Sequence, residues 1–137
     1  MQIAQDLAIC LPARAVVLLI GELGAGKTAF VRGLVQGVGG DPDQVTSPTF
    51  VLIQEYDAPR TVYHADLFRL AAVAVEDLRP QLDELMDRDG ILAIEWADRL
   101  MRPVIGAVRV HIIDGGGDER AIDIDGKPVT GSEGPPE

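Results

Sequence analysis

The hydrophobic pattern of the chain opens with a buried strand followed by an amphipathic helix. Residues 15–20 form a continuous apolar run rich in valine, leucine and isoleucine, which predicts a strand buried on both faces of a sheet. Glycines dominate residues 21–26 and predict a turn. The helix predicted from Thr28 has its apolar positions at helical spacing: Val31, Leu34, Val35 and Val38. Three glycines between 37 and 40 mark its end.

Further short apolar segments predict the rest of a sheet. Residues 50–54 and 61–65 are β-branched or aromatic stretches that flank a turn, which favours a hairpin-like pair of strands. Residues 91–94 are wholly apolar and predict a buried strand. Residues 108–113 and 120–124 alternate around three glycines and predict a C-terminal antiparallel hairpin. Strands that alternate with helices in this way indicate an α/β fold.

A second helical region contains a proline. Residues 73–86 carry apolar side chains at helical intervals, but Pro80 lies in the middle of them. Proline lacks the backbone N–H that an interior helix position donates, and it is best tolerated in a first turn. We therefore expect two short helices here, the second beginning at Pro80.

Composition indicates one acidic, soluble domain. A chain of 137 residues, 47% of them hydrophobic, suffices for a single core, which we assign to residues 1–125. The last stretch, 126–137, has the composition of a flexible tail. Cys10 is the single cysteine and is expected to be a small buried hydrophobe. No apolar run is long enough for a membrane helix, so a cytoplasmic location is predicted.

The charge balance disfavours one class of function. With 22 acidic and 12 basic residues, the chain has a formal charge of -10. Such a surface repels a phosphate backbone unless a local basic patch intervenes. Stable direct binding of nucleic acid by the isolated chain is therefore not expected.

The glycine-rich turn satisfies the Walker A pattern for phosphate binding. It reads GELGAGKT, and its predicted nucleotide-binding residues are Glu22, Leu23, Gly24, Ala25, Gly26, Lys27 and Thr28. Glycines let backbone N–H groups approach phosphate oxygens, and the amino end of the following helix attracts an anion. Lys27 is predicted to hold the β- and γ-phosphates of ATP, and the Thr28 hydroxyl to bind Mg²⁺. The alternative is an ordinary turn with a solvated Lys27.

Two acidic residues follow predicted strands, where ligands of open α/β sheets bind. Glu95 ends the apolar run 91–94 and is predicted to associate with Mg²⁺. Asp66 ends the strand that contains His64 and is a second catalytic candidate. The alternatives are a solvated carboxylate for Glu95 and a cap on a short helix over 67–70 for Asp66.

Three other features are weaker candidates. Residues 46–49, Thr-Ser-Pro-Thr, form a hydroxyl cluster in the region where P-loop proteins often sense the γ-phosphate, and Thr49 is the predicted nucleotide contact. An ordinary turn remains the alternative. His64 is more readily explained by packing or hydrogen bonding within a strand than by catalysis. Trp96 either packs over the nucleotide or anchors a loop.

Four blocks of the sequence resemble the TsaE family, formerly called YjeE. The blocks are GELGAGKT, TSPTFVLIQEY, YHADLFRL and ILAIEW, in that order. The resemblance implies an α/β fold of the P-loop NTPase-like type: a three-layer sandwich with a mixed, largely parallel central sheet, ending in the antiparallel hairpin. It also implies Mg²⁺-dependent ATP hydrolysis, weak in the isolated chain, for threonylcarbamoyladenosine modification of tRNA at position 37. TsaD and TsaB are the partners that it implies.

The resemblance also gives roles to residues of this chain. Lys27 and Thr28 match the family's phosphate and magnesium residues, and Glu95 matches its magnesium-associated acid. Asp66 matches an aspartate that the family requires, so the implied catalytic set is Lys27, Asp66 and Glu95. Trp96 matches the aromatic residue after the acid.

Other functions compatible with a Walker A loop are less well supported. A small metabolite kinase is the main alternative, but such enzymes usually need an arginine-rich lid, and no arginine cluster occurs. A GTPase resembles N-K-x-D at its guanine site, a pattern that this chain lacks. A third alternative is an interaction module whose nucleotide is structural.

Overall fold

A computed structural model describes residues 2–21, 26–45, 52–68, 70–114 and 120–125 of the chain. Within them, the helices are α1 (Gln2–Cys10), α2 (Lys27–Gly37) and α3 (Ala72–Met86). The strands are β1 (Arg14–Gly21), β2 (Ile53–Tyr56), β3 (Val62–Asp66), β4 (Gly90–Glu95), β5 (Val108–Asp114) and β6 (Arg120–Asp125). The strands predicted from the apolar runs and the helix that follows the glycine-rich turn are thereby confirmed.

One mixed sheet organises the molecule, with the strand order β2-β3-β4-β1-β5-β6. The four inner strands β3, β4, β1 and β5 are parallel, whereas β2 and β6 pair antiparallel at the two edges. Both predicted hairpins, β2–β3 and β5–β6, are therefore confirmed. The two central strands, β4 and β1, are nearly continuous apolar runs because helices cover both faces of a parallel sheet.

Helices on both faces give three layers, as expected for this fold class. One hydrophobic cluster joins α1 and α2 to alternate strand residues that include Val17, Leu19 and Ala93. The other joins α3 to the intervening strand residues, among them Leu18 and Ile94. Successive strand side chains point to opposite faces, so β1, β3 and β4 contribute to both clusters. The described residues of β5 contribute only to the cluster that contains α1 and α2.

The prediction of two short helices around Pro80 is wrong, because α3 continues through the proline as one helix. The missing hydrogen bond and the steric clash of an interior proline cost about 3 kcal/mol. Val75, Leu78 and Leu82 offset this cost because they form one buried stripe that spans the proline. Each buried side chain of this kind stabilises the fold by about 1.5–3 kcal/mol.

The amino-terminal helix α1 had no counterpart in the sequence analysis. It packs closely on α2: a Cβ added at Gly37 would lie only 2.7 Å from the carbonyl oxygen of Gln5. Its buried stripe consists of Ala4, Leu7 and Ala8. The expectation that Cys10 is buried is wrong, because Cys10 lies off this stripe and is exposed.

No helix in the described ranges is long and apolar enough to cross a membrane. The tail assigned to 126–137 lies outside the described residues, so the division of the chain at residue 125 stays a prediction.

Candidate functional site

The carboxyl ends of three neighbouring parallel strands place the candidate residues at one edge of the sheet. Glu95, the last residue of β4, is level with Leu19 in β1 and with Asp66, the last residue of β3. Glu95 lies two residues beyond Ala93, so both side chains point to the face that α2 covers. Helix α2 begins at Lys27, near the end of β1.

Lys27 is buried at the carboxyl end of these strands and is not a solvated side chain. It is only 4% exposed, and its Nζ donates a hydrogen bond of 2.7 Å to the carbonyl oxygen of Gly21. The ammonium also lies 4.2 Å from the centroid of the Trp96 ring, within the range of a cation–π interaction. The alternative of a solvated Lys27 is therefore wrong.

The start of α2 depends on a glycine conformation. Gly26 precedes the helix with φ of 100°, in the left-handed region that favours glycine, and its carbonyl accepts a hydrogen bond from Phe30 N. The backbone can thus turn from the loop directly into the helix that carries Lys27 and Thr28. Side chains other than glycine would strain this turn.

Thr28 and Glu95 connect the helix to the sheet. The Thr28 hydroxyl donates a hydrogen bond of 3.0 Å to Glu95 Oε2. Glu95 is 4% exposed, so the alternative of a solvated strand-end carboxylate is wrong. Two oxygen-bearing side chains that are 67 positions apart in the sequence thus meet beside Lys27.

Asp66 lies next to Glu95 in the sheet and is less deeply buried. Its Oδ1 accepts a hydrogen bond of 2.9 Å from Phe68 N, which closes a local turn. The alternative was a cap on a short helix over 67–70, and the described residues of that range, 67, 68 and 70, are not helical. Burial raises the pKa of Asp66 above the ordinary aspartate value, and the negative charge of Glu95 raises it further. The hydrogen bond from Phe68 N and the charge of Lys27 act in the opposite direction.

Trp96 turns its ring back over the site because its backbone is left-handed, with φ of 59°. Residues other than glycine rarely adopt this conformation, and bulky ones least of all. The ring contacts Lys27 as described and packs against Phe68 at a centroid distance of 4.8 Å. Arg99 lies 5.9 Å from the same ring. Contact of Trp96 with the nucleotide and anchoring of a loop both stay predictions, and the contacts observed are those of its ring with Lys27 and Phe68.

Several predicted residues lie outside the described part of the chain. They are Glu22, Leu23, Gly24, Ala25 and Thr49. Their assignment to nucleotide binding stays a prediction. No group of three or more His, Cys, Asp or Glu side chains that could hold a metal occurs among the described residues.

His64 is completely buried and hydrogen-bonded, as predicted. The partner of its Nε2, however, is Glu95 Oε2 at 2.6 Å, which ties this histidine to the candidate site. The sequence analysis also missed Tyr56, whose hydroxyl contacts His64 Nδ1 at 3.0 Å. Strand periodicity could have placed His64 and Asp66 on one face, but the contact with Tyr56 depends on strand pairing.

Comparison with known proteins identifies the family of this chain. The sequence model of the Threonylcarbamoyl adenosine biosynthesis protein TsaE matches residues 1–122. The chain belongs to the TsaE family. Proteins named tRNA threonylcarbamoyladenosine biosynthesis protein TsaE are similar to it in Synechocystis, with 43% identity over 72% of this chain, and in Bacillus subtilis, with 40% identity over 78%.

A solved structure is also similar to the chain, and the relatives are longer than the segments that match it. The crystal structure of YdiB from Bacillus subtilis superimposes with a TM-score of 0.67 and 31% identity, covering 88% of this chain and 73% of YdiB. The chain spans 64% of the Synechocystis TsaE protein and 66% of the Bacillus subtilis one. The P-loop fold that the resemblance implied is therefore shown, for a chain shorter than these relatives.

Proposed function

We propose that this TsaE-family chain binds ATP with Mg²⁺ and hydrolyses the ATP during threonylcarbamoyladenosine modification of tRNA at position 37. One observation carries the proposal. Lys27, Thr28 and Glu95 converge at the carboxyl edge of the sheet, where the Thr28 hydroxyl lies 3.0 Å from Glu95 Oε2. This edge is where α/β folds bind their ligands.

The donor atoms at this edge suit a magnesium ion. Mg²⁺ takes oxygen ligands in octahedral geometry at about 2.0–2.1 Å, so adjacent ligand oxygens lie about 2.9 Å apart. The 3.0 Å between Thr28 Oγ1 and Glu95 Oε2 matches that spacing. Thr28 and Glu95 are the residues that would hold the ion, with water and phosphate oxygens completing its shell. When bound, Mg²⁺ neutralises charge on the phosphate oxygens.

The remaining side chains have roles that follow from charge and position. Lys27 binds the β- and γ-phosphates as a point charge after leaving the Gly21 carbonyl and the Trp96 face. Asp66 would orient a water molecule or accept its proton, and its raised pKa supports this role because it makes Asp66 a better proton acceptor than an ordinary aspartate. Trp96 shields the Lys27 side from bulk water.

The acidic character of the chain supports protein partners over tRNA. A formal charge of -10 opposes close approach to a nucleic-acid backbone. The resemblance to the TsaE family implies that these protein partners are TsaD and TsaB, so we propose that the chain acts in the cytoplasm on the TsaD–TsaB complex and not on tRNA directly. If that complex positions the attacking water, hydrolysis by the isolated chain should be low and should rise when the complex is added.

Phosphate release by the purified chain tests this proposal. Release should require both ATP and Mg²⁺ and should rise when TsaD and TsaB are added. If release instead required a small-molecule acceptor and produced its phosphate ester, the chain would be a metabolite kinase. If nucleotide bound tightly without release under any of these conditions, the nucleotide would be structural and the ATPase proposal would be wrong.

A further inference from the structure

A row of buried hydrogen bonds continues behind Glu95, away from Thr28. His64 Nε2 lies 2.6 Å from Glu95 Oε2, and His64 is 0% exposed. On the other side of the imidazole, Nδ1 lies 3.0 Å from the Tyr56 hydroxyl, which in turn lies 2.7 Å from Gln54 Oε1. The row therefore crosses β4, β3 and β2.

Strand register makes this row possible. Gln54 of β2 pairs with His64 of β3, and His64 pairs with Ala93 of β4. Tyr56 and Glu95 lie two positions beyond Gln54 and Ala93, so all these side chains share the face that α2 covers. A shift of one residue in either pairing would turn part of the row to the opposite face.

The contact between His64 and Glu95 is a hydrogen bond that the histidine donates. An ionised carboxylate, the form in which glutamate binds a metal, has only acceptor oxygens, so Nε2–H donates to Glu95 Oε2. The Tyr56 hydroxyl lies on the Nδ1 side of the ring, and a hydroxyl can donate to a ring nitrogen or accept from it.

We propose that His64 is a positioning residue that holds the Glu95 carboxylate beside Thr28 in the geometry that Mg²⁺ binding needs, with Tyr56 fixing the imidazole from behind. This inference rests on the proposed function, in which Glu95 binds the ion. A free glutamate side chain samples several rotamers, whereas Glu95 Oε2 receives hydrogen bonds from two directions. Removing a group that orients a metal ligand in this way commonly lowers metal affinity by about 10- to 100-fold.

The test measures how strongly Mg²⁺ improves nucleotide binding. For each variant, calorimetry gives the dissociation constant of a non-hydrolysable ATP analogue in EDTA and in Mg²⁺, and the ratio of the two is the magnesium coupling. His64→Leu, which removes the donor, should lower this coupling about tenfold or more. His64→Gln offers an amide donor at a similar reach and should retain the coupling within about threefold.

A matched tyrosine pair separates positioning from general destabilisation. Tyr56→Phe removes the hydroxyl behind His64 and should lower the coupling about threefold, the effect of one ordinary hydrogen bond. Tyr63→Phe makes the same change on β3 at a buried position that faces α3, and it should leave the coupling unchanged. Urea unfolding in EDTA shows whether each variant is folded.

The possible results differ in what they overturn. A folded His64→Leu variant with wild-type coupling overturns the inference, and so does a folded His64→Gln variant that loses as much coupling as His64→Leu. If His64→Leu does not fold, equal coupling in Tyr56→Phe and Tyr63→Phe overturns it. If the wild-type chain itself shows no magnesium coupling, the proposed function fails first, and the positioning role falls with it.

Discussion

Replacing Lys27 by methionine tests the central feature of the site with little change in side-chain volume. The ammonium is 4% exposed and makes a charge-assisted hydrogen bond to the Gly21 carbonyl. Such a bond contributes about 1.5–3 kcal/mol net. The cation–π contact with Trp96 contributes about 1–2 kcal/mol when it is shielded from water.

The cost of burying a charge opposes these contributions. Removing an ammonium from water costs several kcal/mol, so the substitution of a buried ionic group by a hydrophobic one of similar size is often close to neutral. We therefore expect Lys27→Met to change the free energy of unfolding by less than about 2 kcal/mol. The variant should fold, and a loss of function in it would report on chemistry.

The expected functional loss is much larger than the change in stability. Removing one preorganised donor from developing charge typically lowers turnover about 100- to 1,000-fold, or by about 2.7–4 kcal/mol. We therefore expect the rate of phosphate release by Lys27→Met to be about 100-fold or more below that of the wild type. Binding should weaken for ATP and ADP but not for AMP, because Lys27 is assigned to the β- and γ-phosphates.

Lys127→Met is the matched control, because Lys127 is the only other lysine in the chain. It should release phosphate at the wild-type rate. Wild-type turnover in Lys27→Met would refute the assignment of this lysine to the phosphates. Unfolding of Lys27→Met under the same conditions would show that the cost of burying the ammonium does not nearly cancel its hydrogen bond and its cation–π contact.

Three further predictions concern the neighbouring residues. Glu95→Gln preserves the size and the hydrogen-bonding reach of the side chain, yet the midpoint of a Mg²⁺ titration of activity should rise about tenfold or more; an unchanged midpoint would exclude Glu95 as a ligand. Trp96 is the only tryptophan, and its emission should change when ATP and Mg²⁺ draw the Lys27 ammonium from its 4.2 Å position; constant emission would remove Trp96 from the site. Asp66 has a raised pKa, so the folded state holds its proton more tightly than the unfolded state and stability falls as pH rises from 3.8 through the raised value. Asp66→Asn has no titrating group at this position, so its free energy of unfolding relative to wild type should increase over that pH range in urea unfolding. A constant difference would contradict the raised pKa of Asp66.

The phosphate-site candidates could be predicted because they depend on local sequence. GELGAGKT carries its own mechanism, since glycines permit the turn and the lysine and threonine follow at fixed positions on the helix. Glu95 and Asp66 were found because each follows an apolar run, and strand ends are where such folds bind ligands. The structure brings Thr28 and Glu95 into hydrogen-bond contact, which the sequence analysis did not state.

The errors came from residues whose environment depends on distant partners. Local rules made Pro80 a helix start, but the buried stripe on both sides of it keeps α3 continuous. Cys10 was expected to be buried because of its residue type, yet the register of α1 places it outside the stripe that packs on α2. His64 was correctly expected to be packed, but its link to Glu95 was not foreseen.

By itself, the sequence determined the α/β class and the phosphate-binding motif, because these follow from periodicities and spacings within short segments. It also contained the four ordered blocks that carry the resemblance to the TsaE family. Only the tertiary structure decided that Glu95 meets Thr28 on one side and His64 on the other, and that Lys27 is covered by Trp96. Those contacts join residues that are far apart along the chain, and they depend on strand order, register and the face to which each side chain points. A sequence specifies these properties only through the packing of the whole sheet.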